Sequence, residues 1–249
     1  MLLKGKVAVI SGGAGPRGIG KATARLFAEH GAKVAILDLD EAASVSAARD
    51  LGEEHRGFAC DVTNKDATQR AAEAVLRAFG QVDVLINNAG VSQALKLMEI
   101  EANNYDFVLD VSLRGTLYLS QAFIPHMRER KSGSIACASS VSAQRGGGIF
   151  GGPHYSAAKA GVLGLAKAMA RELGPDGVRV NAVTPGLIQT DITGDKLTDT
   201  MRTDIIKGIP LGRLGETRDV AGAFLFLASD LSAYITGAVI DVNGGMLIH

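Results

Sequence analysis

Tyr155 and Lys159 stand four residues apart, near the start of a stretch (residues 154–173) whose pattern predicts a long helix. Residues at this spacing lie on the same face of a helix, so the phenol and the ammonium would be neighbours. A cation beside a phenol favours the phenolate and lowers a pKa that is otherwise about 10. The pair could therefore carry a proton near neutral pH. Chance also produces a Tyr and a Lys at this spacing, so the interpretation depends on the rest of the chain.

A glycine-rich segment follows the first predicted strand and precedes a predicted helix. Residues 11–20 read Ser-Gly-Gly-Ala-Gly-Pro-Arg-Gly-Ile-Gly, in which the spacing G-x-G-x-x-G of a dinucleotide loop occurs. Glycines there permit a tight turn and a close approach of the backbone to a pyrophosphate, which then meets the positive end of the helix. The candidate contacts are Gly13, Gly15, Arg17, Gly18 and Ile19.

The choice of cofactor depends on two residues of opposite charge. Asp38 ends the second predicted strand, eighteen residues after Gly20. An acid at this point accepts hydrogen bonds from the adenosine ribose and repels the 2′-phosphate of NADP. Arg17 argues the other way, because a basic residue in the loop can pair with that phosphate. The strand end is the better determined position, so we predict NAD as the cofactor.

The composition argues against several classes of function. The 249 residues contain 26 Lys and Arg against 26 Asp and Glu, so no basic surplus indicates nucleic-acid binding. We expect no membrane span, because no segment approaches about eighteen uninterrupted apolar residues, and no signal peptide. Cys60 and Cys137 lie at or near the ends of apolar runs, which predicts buried free thiols and fits a reducing, cytoplasmic location. No metal site is predicted.

Short apolar runs alternate with longer helical patterns along the chain. The runs lack clean alternation, as expected of strands covered on both faces. The predicted strands are residues 7–10, 33–37, 57–60, 82–86, 134–138, 178–183 and 238–242. The predicted helices are residues 18–30, 41–51, 65–79, 103–130, 154–173 and 217–228. This order predicts an α/β fold, a single domain over residues 1–249 with a doubly wound, seven-stranded parallel sheet flanked by helices.

Residues 187–215 interrupt this alternation. The segment is polar and contains only a short helical piece near residues 200–207. Long irregular segments in compact folds often cover a site, so we predict a substrate lid here. A plain surface excursion is the alternative.

The chain resembles the short-chain dehydrogenase/reductase family, in its short form, essentially from end to end. Besides the glycine-rich loop, the resemblance is carried by Cys60-Asp61-Val62, Asn87-Asn88-Ala89-Gly90, Ser139-Ser140-Val141, Tyr155-Ser156-Ala157-Ala158-Lys159, Asn181-Ala182-Val183-Thr184-Pro185-Gly186, and the closing Thr236-Gly237 to Asp241-Val242-Asn243-Gly244-Gly245. It implies a single Rossmann-fold domain and reversible hydride transfer between a nicotinamide cofactor and a carbonyl or an alcohol.

The resemblance also implies roles for individual residues. Tyr155 would be the general acid/base, Lys159 would lower its pKa and bind the nicotinamide ribose, and Ser140 would hold the substrate oxygen. The remaining cofactor contacts would be Asp61 and Val62 at the adenine, Asn88, Ala89 and Gly90 at the ribose, and Pro185, Gly186, Ile188 and Thr190 around the nicotinamide. Each segment also has an ordinary structural interpretation, such as a helix cap at Asp61 or a chain reversal at Pro185.

Ser112 marks a departure from the family pattern, which usually has Asn in this helix to bend it and to hold a water that connects the lysine to solvent. Ser can also hydrogen-bond a water or its own helix, so Ser112 is a catalytic candidate, with a plain helix serine as the alternative. The phosphate loop and the segment between Ser140 and Tyr155 each look about two residues longer than usual. We expect the second of these to be mobile and close to the pocket mouth. His154 is interpreted as structural, because helix neighbours do not share a face.

The sequence specifies the substrate less closely than it specifies the fold or the cofactor. The candidate pocket residues are Ser92, Gln93, Ala94, Val141, Gln144, Phe150 and the lid around residues 192–197. This mixture is partly apolar and has no evident Arg to bind a carboxylate, which favours a neutral secondary alcohol or ketone.

Two alternatives to this function stay open. One is NADPH-dependent reduction of a 3-oxoacyl thioester on an acyl carrier protein, against which Asp38 counts. The other is an NAD(H)-binding sensor or structural protein with weakened catalysis. Relatives of this form usually make homotetramers, so we expect a homotetramer assembled through the long fourth and fifth helices and the last strand.

Overall fold

Seven short strands form one parallel sheet in the computed structural model, which describes residues 1–191 and 197–249. They are β1 (Val7–Ser11), β2 (Lys33–Asp38), β3 (Arg56–Ala59), β4 (Val84–Asn87), β5 (Gly133–Ala138), β6 (Val178–Pro185) and β7 (Val239–Val242). The strand order is β3-β2-β1-β4-β5-β6-β7, and every neighbouring pair is parallel. The predicted doubly wound, seven-stranded parallel sheet is therefore confirmed.

Helices cover both faces of this sheet. They are α1 (Ile19–Glu29), α2 (Glu41–Arg49), α3 (Lys65–Phe79), α4 (Ala102–Leu109), α5 (Gly115–Glu129), α6 (Ser142–Arg145), α7 (Pro153–Leu173), α8 (Asp199–Lys207) and α9 (Thr217–Ala228), with single 3-10 turns at Leu97–Glu99, Gly174–Asp176 and Asp230–Ser232. One core contains Phe123 and Met127 under α3, α5 and α7, and the other contains Phe27 and Phe224 under α1, α2 and α9. In the ranges that the structure describes, no helix is long and apolar enough to cross a membrane.

Short polar side chains cap the first turns of α2 and α3. Asp40 accepts a hydrogen bond from the backbone of Ala43 at the start of α2, and Asn64 accepts one from Ala67 at the start of α3. Gly80 ends α3 in a left-handed conformation, with φ 75°. These local signals explain why the predicted bounds of α3, residues 65–79, match the structure.

The predicted helix over residues 103–130 is wrong in one respect, because it is interrupted. A single π-helical turn, Asp110–Arg114, separates α4 from α5, and Gly115 donates its backbone hydrogen bond to Asp110, five residues back. A π turn inserts one residue into the helix and is frequent at functional sites. It places the side chain of Ser112 in the interior, fully buried.

The two ends of the segment 187–215 meet in a parallel bridge between Ile188 and Gly215. The backbone of Gln189 donates to Gly215, and the backbone of Gly215 donates to Leu187. The predicted helical piece is α8, which begins one residue earlier than expected. Residues 192–196 of the predicted lid lie outside the described residues, so the covering role of the segment stays a prediction.

Cys60 and Cys137 are buried free thiols, as predicted. Burial raises the pKa of Cys60 to about 12 and that of Cys137 to about 11. Both therefore stay protonated and unreactive near neutral pH.

Candidate active site

The main cavity of the described chain opens at the carboxyl ends of the strands. It measures about 430 Å³ and lies where the strand order reverses between β1 and β4. Its walls are the segments that follow β1, β4, β5 and β6, represented by Gly12, Asn88, Ser140 and Gly186. Open parallel sheets bind ligands at this switch point. The fold thus brings four separate motifs of the sequence to one cleft.

The glycine-rich loop is built on Gly12 and Gly20 more than on the predicted Gly13. Gly12 has φ 64°, and a methyl group there would lie 2.9 Å from the Cα of Ala89. A methyl group on Gly20 would lie 2.3 Å from the carbonyl oxygen of Gly12, so only glycine lets α1 approach the loop this closely. Gly13 packs toward Ile36, while Gly12, Gly15, Gly18 and Ile19 line the cavity.

Asn88 and Ser11 brace this loop against the end of β4. The Asn88 side-chain amide donates to the carbonyl oxygens of Ser11 and Gly12, each at 3.0 Å. The Ser11 hydroxyl accepts the backbone N–H groups of Asn88 and Ala89 at 3.0 and 3.1 Å. Asn88 therefore holds the shape of the loop and lines the cleft at the same time.

Asp38 and Arg17 face different partners. Asp38 lines the cavity at the end of β2, where its carboxylate accepts the backbone N–H of Ala14 at 3.0 Å. Arg17 donates from its side chain to Asp191 at 2.6 Å and from its backbone at 3.1 Å. The Arg17 guanidinium lowers the pKa of the Asp191 carboxyl below its ordinary value.

Tyr155 and Ser140 both line the far end of the cavity. The backbone N–H of Ser142 donates to the Ser140 hydroxyl oxygen at 3.1 Å, so the hydroxyl of Ser140 keeps its own proton for donation. Burial raises the pKa of Tyr155, and the hydrogen bond with Ser140 opposes that rise. The sequence predicts instead a pKa lowered by Lys159. The difference arises because the phenol is deeply enclosed and the lysine ammonium lies 5.9 Å from the centre of its ring.

Lys159 is anchored to the end of β5. Its ammonium donates to the carbonyl oxygen of Ala138 at 2.8 Å, and its own carbonyl oxygen accepts the hydroxyl of Ser139 at 2.7 Å. The side chain is buried, and burial lowers the pKa of Lys159 to about 8. The amine is therefore still mostly protonated at neutral pH, as a cation in this site must be.

Ser112 reaches the lysine from the π turn. A methyl group built on Gly90 would lie 3.0 Å from the Lys159 ammonium nitrogen and 3.5 Å from the Ser112 hydroxyl oxygen. Both atoms therefore lie close to Gly90. The Ser112 hydroxyl is buried and has no hydrogen-bond partner among the residues described. A buried hydroxyl in this condition commonly binds an ordered water.

The predicted nicotinamide-side residues lie together in the structure. Pro185, Gly186, Ile188 and Thr190 all line the main cavity after β6. A methyl group on Gly186 would lie 2.9 Å from the Cα of Asn243, so this position is tightly packed by the closing segment of the chain. Ala89 and Gly90 line the opposite wall.

Asp61 and Val62 do not line the cavity. The Asp61 carboxylate accepts the backbone N–H and the hydroxyl of Thr63 at 2.9 and 2.7 Å, which forms a turn before α3. Val62 is buried against Gly115 of α5. Both residues follow the end of β3. This strand end lies beside Asp38 of β2, because the carbonyl oxygen of Asp38 accepts the N–H of Cys60. Their predicted contact with adenine stays a prediction.

The glycine-rich segment between Ser140 and Tyr155 lines the cleft beside Tyr155. Phe150 lines the cavity, and its carbonyl oxygen accepts the hydroxyl of Ser92. A methyl group on Gly151 would lie 2.5 Å from the Tyr155 ring, so the segment packs directly on the phenol. Gly147 donates to the Ser156 hydroxyl at 2.8 Å, which holds the segment onto α7.

Two predicted substrate residues, Gln93 and Gln144, lie elsewhere than expected. The Gln93 side chain pairs with the His154 ring at 3.1 Å, beneath the cavity wall. The Gln144 side chain donates to Asp241 at 2.8 Å and contacts His249, because α6 turns it toward the closing segment. His154 is buried and burial lowers its pKa, in keeping with a structural role.

Sequence reasoning missed four residues that shape the site. The roles of Gly12 and Ala138 could not be predicted from residue type, because their backbone atoms, not their side chains, make the contacts. Ser139, whose hydroxyl donates to the Lys159 carbonyl oxygen, directly precedes Ser140. The pair of adjacent serines is the sequence feature that could have indicated its role. Asp191 follows Thr190, but no local pattern indicates that it contacts Arg17, 174 positions earlier.

These residues fit a nicotinamide dinucleotide. The loop has no room for side chains at Gly12 and Gly20, and no side chain of the described ranges caps the first turn of α1. Uncapped N–H groups at a helix start bind phosphate oxygens. The acid Asp38 stands at one end of the cavity and the Ser140–Tyr155 pair with Lys159 at the other, which matches a ligand with an adenosine end and a reactive end.

Known proteins share this arrangement over nearly the whole chain. A family model described as Enoyl-(Acyl carrier protein) reductase matches residues 12–247. The chain is 65% identical over 253 residues to the uncharacterized short-chain type dehydrogenase/reductase y4mP of Sinorhizobium fredii, with full coverage of both. It is 41% identical to the 3-oxoacyl-[acyl-carrier-protein] reductase FabG of Thermotoga maritima, again with full coverage, and 42% identical to that of Vibrio cholerae over 99% of each chain.

A solved structure confirms the likeness in three dimensions. The crystal structure of gox2181 superposes with a TM-score of 0.93 at 35% sequence identity, and the match covers 98% of this chain and 96% of the other. The architecture of this chain is therefore already known from a solved structure.

Proposed function

Because the chain belongs to the short-chain dehydrogenase/reductase family, we propose that it transfers a hydride between NAD(H) and a secondary alcohol or ketone. The observation that carries the proposal is that Ser140, Tyr155 and Lys159 meet at the end of a cleft that begins at the glycine-rich loop. Family membership supports an oxidoreductase with a nicotinamide cofactor. The choice of NAD and of the substrate class belongs to the proposal.

The chain's own residues supply the proton chemistry. Ser140, oriented by the Ser142 backbone, donates a hydrogen bond toward the reacting oxygen, and Tyr155 takes or gives the proton of that oxygen. Burial raises the pKa of Tyr155, so the phenolate needs a nearby cation, and Lys159 is mostly protonated at neutral pH. Ser112 and a water would return protons from solvent to Lys159. When bound, the nicotinamide supplies the hydride acceptor or donor.

NAD is favoured over NADP by the positions of two charges. The Asp38 carboxylate faces the cavity where an adenosine ribose would lie, and at about 4 Å it would repel a 2′-phosphate by on the order of 4 kcal/mol at a surface-like dielectric. Arg17, the residue that could offset this repulsion, is not among the described residues that line the cavity, whereas Asp38 is.

A neutral substrate is favoured by the wall of the cleft near Tyr155. The apolar side chains of that wall are Val141, Ile149, Phe150 and Met246. The cation Arg145 also lines the cavity. Apolar walls with few polar groups select by shape and by the one oxygen that Ser140 and Tyr155 bind. Secondary alcohols with apolar substituents fit this description.

A second candidate is reduction of a 3-oxoacyl thioester with NADPH. It is favoured by the names of the FabG relatives, which are 41 and 42% identical to this chain. Asp38 counts against it, because the acid would oppose the 2′-phosphate of NADPH. A third candidate, of another class, is an NAD(H)-binding sensor without turnover, which the unusual Ser112 motivates and the intact Ser140, Tyr155 and Lys159 oppose.

One assay separates these candidates. Nicotinamide absorbance is followed with NAD⁺ and NADP⁺ against secondary alcohols, and with NADH and NADPH against ketones and a 3-oxoacyl thioester. We expect turnover with NAD(H) and a secondary alcohol or ketone. Turnover confined to NADPH and the thioester would establish the second candidate, and tight NADH binding without turnover on any substrate would establish the third.

A pair of matched variants tests the cofactor choice. Asp38→Asn is expected to raise the ratio of kcat/KM with NADP⁺ to kcat/KM with NAD⁺ by at least about tenfold, because the repulsion is removed. Asp40→Asn is the control, since it removes an exposed acid two residues away and still caps α2. An unchanged ratio in Asp38→Asn would refute the role of Asp38.

We further propose a homotetramer. Three features support it: β7 is an edge strand, α4 exposes Tyr105 and Phe107, and the outer face of α7 exposes the small residues Ala157, Ala160, Gly164 and Ala168.

A further inference from the structure

The Asp191 carboxylate accepts two hydrogen bonds from Arg17 of the glycine-rich loop and lies beside Gly15. One oxygen accepts the backbone N–H of Arg17 at 3.1 Å, and the other accepts the Arg17 side chain at 2.6 Å. A methyl group built on Gly15 would lie 3.7 Å from the first oxygen. An acid from the segment after β6 thus lies against the loop that follows β1.

This position coincides with the expected anion site of the protein. Asp191 lines the same cavity as Gly15, Gly18 and Ile19. The first turn of α1 begins at Ile19 without a side-chain cap from the described residues, so its N–H groups and the helix dipole favour a negative charge there. The Arg17 guanidinium keeps the pKa of the Asp191 carboxyl low, and the group is therefore an anion at neutral pH.

We propose that Asp191 sets the affinity of the protein for its dinucleotide by competing with the cofactor's diphosphate for the side chain and the backbone N–H of Arg17. The proposal depends on the proposed function, because it assumes that a dinucleotide binds in this cleft. The backbone N–H and the Nε–H of Arg17 cannot serve the carboxylate and the diphosphate together, and two anions at one loop repel each other. Dinucleotide binding therefore releases Asp191 from the loop.

The release couples cofactor binding to the segment after β6. Ile188 and Thr190 line the cavity immediately before Asp191 in the chain. While Asp191 is paired with Arg17, this segment contacts the glycine-rich loop through that ion pair. The diphosphate takes the place of the Asp191 carboxylate at Arg17, and the segment loses this contact. The pair is solvent-accessible, with 68% of the Arg17 and 40% of the Asp191 side chain exposed, so the effect of breaking it is modest.

Asp191→Asn tests the competition, because it keeps the shape of the side chain and removes its charge. Isothermal titration with ADP-ribose measures diphosphate binding without any reaction, and adenosine serves as the probe that lacks phosphate. We expect Asp191→Asn to bind ADP-ribose about three- to fivefold more tightly than the wild type, the factor that corresponds to an exposed ion pair. Adenosine binding should not change.

Asp204→Asn is the matched control. It removes another exposed acid of the same segment, paired with Lys207 on α8, away from the loop. We expect this variant to bind ADP-ribose as the wild type does. An equal gain in both variants would assign the effect to net charge and would overturn the proposal.

Salt and kinetics give two independent readouts. The advantage of Asp191→Asn should shrink as salt is raised, since the exposed ion pair and the repulsion are both screened. In stopped-flow NADH binding, the gain should appear in the association rate, because the carboxylate acts before the diphosphate has bound. A gain confined to the dissociation rate would contradict competition for the loop.

The outcomes separate this inference from the proposed function. Unchanged or weaker ADP-ribose binding by Asp191→Asn overturns the inference alone, and weaker binding would show that the pair holds the bound cofactor in place. Failure of every variant to bind either ADP-ribose or NADH overturns both. A gain in binding together with no turnover on any substrate supports the inference and overturns the hydride-transfer function.

Discussion

The Lys159 ammonium donates a 2.8 Å hydrogen bond to the carbonyl oxygen of Ala138, the last residue of β5. This bond fixes the cation of the proposed site to the sheet rather than to a mobile loop. It also keeps the ammonium in the interior, where burial lowers the pKa of Lys159 to about 8. The site therefore requires a buried charge, which costs stability in exchange for a positioned cation.

The first prediction concerns the pH dependence of that cost. Below pH 8, both the folded and the unfolded chain hold the Lys159 proton, and the folded state bears the full cost of burying the ammonium. Between pH 8 and the ordinary value of 10.5, the unfolded chain keeps a proton that the folded chain has lost, so the contribution of Lys159 to the free energy of unfolding rises with pH.

Lys159→Met should therefore be more stable than the wild type at pH 7, by at most a few kcal/mol, and this advantage should shrink from pH 8 to pH 9. Urea unfolding at pH 7, 8 and 9, without added cofactor, measures the difference. Lys167→Met on the outer side of α7 is the control, because its side chain is exposed. A pH-independent difference between Lys159→Met and the wild type would contradict the lowered pKa.

The second prediction concerns the phenol. Tyr155→Phe keeps the ring that packs on Gly151 and removes only the hydroxyl. We expect turnover to fall by at least about 10², the usual contribution of a positioned proton carrier, while NADH binding stays unchanged. Tyr105→Phe, an exposed position on α4, is the control. Near-normal turnover of Tyr155→Phe would remove the phenol from the mechanism.

The fold was readable from the sequence because its signals are local. The apolar runs of β1 and β6 and the caps of α2 and α3 depend on neighbouring residues, and these elements appear within a few residues of the predicted bounds. Local signals also explain why the loop after β1 and the Tyr155–Lys159 pair could be placed.

Other features depend on contacts between distant parts of the chain. The π turn at Asp110–Arg114 follows no simple period, and Ser112 there looks like any helix serine. Gln144 was expected at the substrate, but its partner Asp241 lies 97 positions away. The pKa of Tyr155 was expected to be lowered by Lys159, whereas burial, which no sequence pattern gives directly, raises it.

The third prediction concerns Ser112, whose buried hydroxyl has no hydrogen-bond partner among the described residues. An unsatisfied buried group costs about 1–3 kcal/mol, so if no water binds the hydroxyl, Ser112→Ala should leave the free energy of unfolding unchanged or raise it and should not affect turnover. If the hydroxyl holds a water beside Lys159, the same variant should lower turnover and change its pH profile. Unfolding experiments and pH-rate profiles measure the two effects separately.

Ser120→Ala is the control for this prediction. The Ser120 hydroxyl is also fully buried, but it accepts a hydrogen bond from the Asn87 side chain at 3.1 Å. Its removal should lower the free energy of unfolding by about 1–3 kcal/mol, because the Asn87 donor is then left without this partner. Full activity of Ser112→Ala at every pH would make Ser112 a plain helix serine.

The last prediction tests the proposed homotetramer through the outer face of α7. Ala157, Ala160, Gly164 and Ala168 are exposed there, while Ala158, Ala166 and Ala170 pack on the sheet. A side chain on Gly164 would meet nothing within 4 Å in the described part of this chain, so Gly164→Leu is tolerated by one subunit and blocks close approach of a second copy. We expect the wild type to elute as a tetramer in light-scattering chromatography and Gly164→Leu as a smaller species. Gly222→Leu on α9, which is equally open, should stay tetrameric, and a tetrameric Gly164→Leu would remove this face from the interface.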